Sequence, residues 1–372
     1  MFVKYIKCTQ TNQKYPKDKL VYKCDTGGSL DIIYDYSKIK KNISWEKLRQ
    51  RPFSHWRYRE FYPIVKDENL ITLDTGGTPL VKSSKIKNVW LKCEGVSQTG
   101  SFKDRGTSLE LSKMRELNKN KVIVASTGNM GASIAAYSAA AGIEATIFIP
   151  KNSPKSKIDQ IKRYGAKVIE VEGDYNEAER LAYKAFRNGR GVLMGDYAYR
   201  GEGTKSVGFE IMDELPQVDY IFCCVGNGNL ISGVWKGIKE LKIVGLIKKM
   251  PKLVAVQVDG CNPIIKAFNE NKEIKPVTPK TICGAIACGD PLDGDKALIA
   301  LRESKGLAVS VSDKDALVAR KELAEREGID AEPSAAVPYA GFKKIKNRIP
   351  RTAKVVILVT GHGLKDVENV LK

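Results

Sequence analysis

From about residue 85 onward the chain alternates short apolar runs with longer stretches of helical period, which restricts it to parallel strands joined by crossover helices. The runs expected as strands are Val89 to Leu91, Val122 to Ala125, Ala145 to Ile149, Lys167 to Glu170, Val192 to Met194, Tyr220 to Val225, Leu253 to Val258 and Val355 to Thr360. Ligands of open α/β sheets bind outside the carboxyl ends of the strands, so the loops after those ends carry the chemistry. Three of them hold the distinctive residues: Ser126-Thr127-Gly128-Asn129, Gly226-Asn227-Gly228-Asn229 and Gly361-His362-Gly363. One shared pocket is expected from these loops. The first 75 residues read differently, with Tyr, Lys and turn residues around Cys24-Asp25-Thr26-Gly27-Gly28 and Trp56-Arg57-Tyr58, and predict a small β element with an extended arm. At 372 residues and 42% hydrophobic content, about two domains are expected. No long Pro/Ser linker or repeat separates them, so the second is packed in or inserted rather than tethered.

The formal charge of +19 attracts phosphates. Its lysine clusters, such as Lys248-Lys249-Met250-Pro251-Lys252 and Lys343-Lys344-Ile345-Lys346, sit beside helix-like segments without the aromatic interleaving of a base-stacking platform. They read as solvated helix faces: no nucleic-acid partner is expected, and the excess suits a small anionic substrate. No apolar run approaches the roughly 18 to 20 residues of a membrane span, and Met1-Phe2-Val3-Lys4-Tyr5 lacks a signal-peptide core. A cytoplasmic protein without a membrane partner is therefore expected. Eight cysteines, at 8, 24, 93, 223, 224, 261, 283 and 288, lie too far apart to suggest a disulfide framework. Cys8 and Cys24 alone cannot close a tetrahedral zinc site and His55 has no spacing partner, so no metal is expected.

The segment Ser97-Gln98-Thr99-Gly100-Ser101-Phe102-Lys103-Asp104-Arg105-Gly106 places one lysine among small and hydroxyl residues just before a helical pattern. A free ammonium titrates near about pH 10.4, so a reactive lysine needs desolvation or nearby positive charge. Arg105 and the amide end of the following helix are candidates for that field. The Gly226 to Leu230 turn precedes an expected helix from Ser232 to Leu241, and its amides are placed to meet an anion. It matches neither G-x-G-x-x-G nor a Walker A loop, and a nicotinamide ribose would need an acidic residue at a second strand end, for which the sequence offers no good candidate.

Taken together, Lys103 in TGSFKDRG, the STGN loop at 126 to 129, the Gly226 turn and Thr360-Gly361-His362-Gly363-Leu364-Lys365-Asp366 stand in the order and spacing of the threonine synthase family. The chain resembles that family over nearly its whole length, including Gly76-Gly77-Thr78-Pro79-Leu80, Tyr164-Gly165-Ala166, Ala285-Ile286 and Glu332-Pro333-Ser334-Ala335. The resemblance implies a fold type II pyridoxal 5'-phosphate (PLP) enzyme of the tryptophan synthase β kind. That is an α/β fold of two open, mostly parallel sheets with helices on both faces plus a small N-terminal element. The implied division is an arm over 1–50, a large PLP-binding domain from 51–105 and 195–372, and a small inserted domain over 106–194.

The same resemblance implies the roles. Lys103 holds PLP as a Schiff base and then moves protons, and Asn129 bonds the cofactor's 3-hydroxyl. Gly226, Asn227, Gly228, Asn229 and Leu230 cradle the cofactor phosphate, while Ser126 and Thr127 hold the substrate carboxylate. Thr360 faces the pyridine nitrogen, where a neutral hydroxyl favours elimination and replacement over transamination. Arg200, in Tyr199-Arg200-Gly201-Glu202-Gly203-Thr204-Lys205, matches the arginine that grips the leaving phosphate, with Asn227 assisting. The implied reaction takes O-phosphohomoserine and water to L-threonine and phosphate, in a homodimer.

Departures from the family gather on the substrate-phosphate side. Ser97-Gln98 stands where Asn-Pro is usual, Met130 where a hydroxyl residue follows the asparagine, and Gly195 where a phosphate-binding serine is expected. The phosphate loop is one residue short, and the paired cysteines of zinc-bearing relatives are reduced to Cys8 and Cys24. A cysteate synthase-like replacement on O-phosphoserine, a threonine dehydratase and a non-catalytic PLP-binding paralogue therefore stay open. The TGHGLKD ending speaks against the dehydratase, and retention of Lys103, Asn129 and Thr360 against the paralogue.

Overall fold

The computed structural model describes residues 2–17, 19–64, 66–126, 128–195 and 197–367. Its strands are β1 (Val3–Cys8), β2 (Lys14–Tyr15), β3 (Leu30–Tyr34), β4 (Leu80–Lys82), β5 (Val89–Cys93), β6 (Lys121–Ala125), β7 (Glu144–Pro150), β8 (Lys167–Val171), β9 (Val192–Leu193), β10 (Tyr220–Cys224), β11 (Lys252–Val258), β12 (Leu307–Val311) and β13 (Val355–Val359). They build a six-stranded sheet of order β12-β11-β10-β13-β5-β4, a four-stranded sheet of order β8-β7-β6-β9 and a three-stranded sheet of order β2-β1-β3. The four-stranded sheet is parallel throughout, the six-stranded one is parallel except where β4 meets β5, and the N-terminal one is antiparallel.

Burial explains the division. In β13 all five residues of VVILV are buried, the composition of a strand covered on both faces. Alternate residues of β10 enter different cores: Ile221 and Cys223 pack on one face of the sheet, Phe222 and Cys224 on the other. β6 does the same, with Val122 and Val124 on one side and Ile123 and Ala125 on the other. The expected architecture, two open sheets covered on both faces plus a small N-terminal element, is the observed one. β4 and β12 carry no readable signal because both lie at sheet edges, where half-exposed positions and Ser310 break the apolar run.

Two local expectations change. The helix after the Gly226 turn starts at Asn229 rather than Ser232, because Gly228 sits at φ +95° and ends the turn there. Arg105 lends no field to Lys103. Its guanidinium turns into the core, 2.7 Å from Glu94 Oε2 and 2.6 Å from Glu210 Oε1, so two buried carboxylates neutralise it.

The N-terminal sheet brings Cys8 and Cys24 together in its core. Among the described residues no group of three or more His, Cys, Asp and Glu could hold a metal ion, and His55 is buried against Ser206 and the ring of Tyr62. Among them, too, no helix is long and apolar enough to cross a membrane.

Candidate active site

Parallel register sets the carboxyl ends of β5, β10 and β13 side by side, Cys93 opposite Val359 and Phe222 opposite Ile357. The loops leaving them are then stitched together. Phe102 donates its N–H to Thr360 O at 3.0 Å, His362 donates to Gly100 O at 2.9 Å, and Ser101 bridges Gly361. Asp104 closes the turn before it by accepting from Thr99 N at 2.8 Å and Thr99 Oγ1 at 2.5 Å. Lys103 is thereby fixed as the first residue of the helix Lys103–Glu116, its Nζ 4.7 Å from the centre of the Phe102 ring.

A single cavity gathers the residues singled out by sequence. Lys103, Ser126, Asn129, Gly226, Asn227, Gly228, Asn229, Leu230 and Thr360 all line it. Thr127 lies outside the described residues. Arg200 is not in the cavity wall. It is fully buried beneath the Lys103 helix, 2.5 Å from Glu110 Oε2, with bonds to Gly195 O, Lys103 O and Thr107 Oγ1.

The Gly226 turn offers main chain rather than side chains. The first amides of the helix Asn229–Ile243 have no acceptor within it, which makes that end an anion site. A Cβ at Gly228 would stand 2.6 Å from Asp293 O, so only glycine allows this approach. Asn229 braces the turn through Asp293 at 2.8 Å, and Asn227 accepts from Leu292 N at 3.4 Å.

Asn129 gives the test of fit for a cofactor. Its Nδ2 donates to Glu332 Oε1 at 2.6 Å, and the other oxygen of Glu332 pairs with Lys157 Nζ at 3.1 Å. A carboxylate only accepts, so the amide nitrogen must face Glu332 and the oxygen must face away. That Oδ1 is buried without a hydrogen-bond partner, a state costing about 1 to 3 kcal/mol unless a donor meets it. A hydroxyl on a bound ring would meet it, and the amide end would take that ring's phosphate. The donor set fits PLP.

Residues 71–361 match the family of pyridoxal-phosphate dependent enzymes. The chain belongs to that family. It is 40% identical to the threonine synthase of Methanocaldococcus jannaschii, over all of this chain and 95% of that one, and 39% identical to that of Methanosarcina acetivorans, over 99% and 93%. The threonine synthase of Synechocystis is 36% identical over 83% of this chain and 82% of its own length. Among solved structures, maize serine racemase superposes with TM-score 0.68 at 25% identity over 77% of this chain and 88% of that chain. Threonine deaminase isoform 2 of Solanum lycopersicum gives 0.67 at 23% over 77% and 79%, which bears on fold alone.

In this PLP-dependent enzyme Glu332 in the cavity wall and Lys157 paired with it carried no assigned role in the sequence. Glu332 stands at the N-cap of the helix Pro333–Ile345, and an acidic residue before Pro and an apolar run is a signal that could have marked it. Lys157 had none: it sits in a basic amphipathic segment and is buried where the Gly128 loop packs on it, a Cβ there standing 2.2 Å from its Cδ. Ser126 Oγ accepts from the N–H groups of Gly128 at 3.0 Å and Gly131 at 2.8 Å, which leaves its own O–H as the donor facing the cavity.

Lys365, in the TGHGLKD segment, is also buried, donating to Thr99 O at 2.7 Å and Gln160 Oε1 at 2.6 Å. Burial brings its ammonium down to about 8, Glu332 holding against the change and Lys157 adding to it. An unfolded lysine titrates near about 10.4, so between about pH 8 and pH 10 the unfolded chain keeps a proton that the folded chain has released. Stability contributed by this site therefore rises with pH across that window. Lys365→Met is expected to flatten the rise in denaturant-unfolding free energy there, and an unchanged slope would count against this account.

Proposed function

We propose that this enzyme is a threonine synthase, converting O-phosphohomoserine and water to L-threonine and phosphate, in the cytoplasm and as a homodimer. The observation that carries the reading is the 40% identity to a threonine synthase along the whole chain, with the expected cofactor residues lining one cavity. PLP, when bound, supplies the electron sink that makes protons next to the substrate amine removable.

The chain's own residues do the rest. Lys103 would hold the cofactor, and its amine, lining the cavity, would take and return protons there. The amides of Gly226 to Leu230 would bind the cofactor phosphate, and Asn129 and Thr360 would offer its ring a buried amide and a neutral hydroxyl. Ser126 and Thr127 hold the substrate carboxylate, and Asn227 is assigned to the leaving phosphate; Arg200, outside the cavity wall and paired with Glu110, meets that phosphate only where the pair opens. In net terms the Cγ–O bond breaks with its electron pair going to phosphate, one proton passes from Cβ to Cγ, and the hydroxyl of water joins Cβ. The second proton of water leaves with the phosphate.

Purified holoenzyme given O-phosphohomoserine is expected to release phosphate and threonine in equal amounts. No release there, alongside sulfite-dependent release from O-phosphoserine, would replace this reading with a β-replacement enzyme. Sedimentation at micromolar concentration tests the homodimer.

A further inference from the structure

Lys103, Thr107 and Glu110 occupy one face of the helix Lys103–Glu116, at the i, i+4, i+7 spacing that stacks side chains along it. Arg200 lies along that face. Its Nη1 donates to Lys103 O at 3.4 Å, its Nη2 to Thr107 Oγ1 at 3.1 Å, and Nη2 stands 2.5 Å from Glu110 Oε2. The other oxygen of Glu110 accepts from Gly195 N at 3.4 Å, and Arg200 Nε donates to Gly195 O at 3.2 Å. A guanidinium and a backbone N–H thus converge on one point, and the group standing there is a carboxylate of the chain itself. Both partners are buried, Glu110 at 4% exposure and Arg200 at 0%. Cation and anion cancel immediately behind the residue assigned to the cofactor.

We propose that Glu110 is a built-in competitor for the substrate's phosphate, its carboxylate filling the anion position formed by Arg200 and Gly195 N–H, and so sets how tightly a phosphorylated substrate binds. The inference rests on the reading that this enzyme takes such a substrate. A phosphate gains the guanidinium only in the fraction of molecules whose Glu110 has withdrawn, so its apparent affinity is lowered by that fraction. Glycine at 195 and methionine at 130 add no side-chain hydroxyl to offset the loss. Glu110 acts through Arg200, as a specificity-determining residue rather than a catalytic one.

The test uses holoenzyme and inorganic phosphate as the probe, followed by the change in cofactor absorbance and by competitive inhibition. Glu110→Gln keeps the shape and removes the charge, and phosphate is expected to bind about tenfold more tightly, with KM for O-phosphohomoserine falling by more than any change in kcat. Glu110→Asp, which draws the carboxylate back by one methylene and keeps the core charge balance, is expected to shift binding the same way by less. L-Homoserine, lacking the phosphate, should inhibit both variants as it inhibits the parent; a loosened core would move both ligands. Unchanged phosphate binding in either folded variant overturns the proposal. The titration needs no turnover, so tighter phosphate binding by Glu110→Gln in an enzyme inactive on O-phosphohomoserine would retain the anion site and discard the assigned substrate.

Discussion

Lys103→Ala is expected to yield a folded protein that loses PLP on dialysis, with turnover of O-phosphohomoserine lowered by the roughly 10²- to 10⁴-fold of a lost acid–base group, or more. Folding is expected to survive because the side chain is only half-buried and enters no ion pair among the described residues. The helix that begins with it is held by other groups: Asp104 by Thr99 and Ser133, Phe102 by Thr360. Borohydride treatment of the parent should fix the cofactor on Lys103, located by peptide mass, and the variant should carry no fixed cofactor. Turnover within tenfold of the parent would remove Lys103 from this role.

Arg105→Met is expected to be the most destabilising single change near the site, at about 3 to 5 kcal/mol, the range for a buried charge deprived of its partner. Arg105 Nε meets Glu94, and its two terminal nitrogens meet Glu94, Glu210, Thr78 and Ser206, at 2.6 to 3.0 Å. Both carboxylates and the guanidinium have fully buried side chains. Methionine fills the volume and leaves Glu94 and Glu210 without its charge, with Lys92 2.8 Å from Glu210. Against a typical total of about 5 to 15 kcal/mol, that loss is a large share. Arg105→Lys keeps the charge but loses the paired forks, so its unfolding free energy in urea should fall between those of parent and Met variant. A Met variant within about 1 kcal/mol of the parent would show that the network adds little.

Much of the architecture was readable because burial on both faces writes itself into composition. β13 is entirely Val, Ile and Leu, and β10 joins Ile, Phe and two cysteines, so neither resembles the polar segments around it. β12 escaped because an edge strand need only be half apolar. The cavity was readable for a related reason: strand-end loops with Gly, Ser, Asn and Lys stand out from the apolar runs before them, and parallel strands bring such loops to one edge. Arg200 shows the limit of that logic. Its type suited an anion, yet its neighbour Glu110 stands two turns along another helix with no motif to mark it.

The sequence by itself determined the parallel sheets and the cluster of strand-end loops, since these depend on residue type and short-range spacing, and its resemblance to the threonine synthase family implied the cofactor. Only the tertiary structure decided how the charges pair. Glu332 with Asn129 and Lys157, Glu110 with Arg200, and Arg105 with Glu94 and Glu210 each join groups from different elements. The physical reason is that a buried charge takes whichever opposite charge the packing brings within about 3 Å, and no local pattern records that distance.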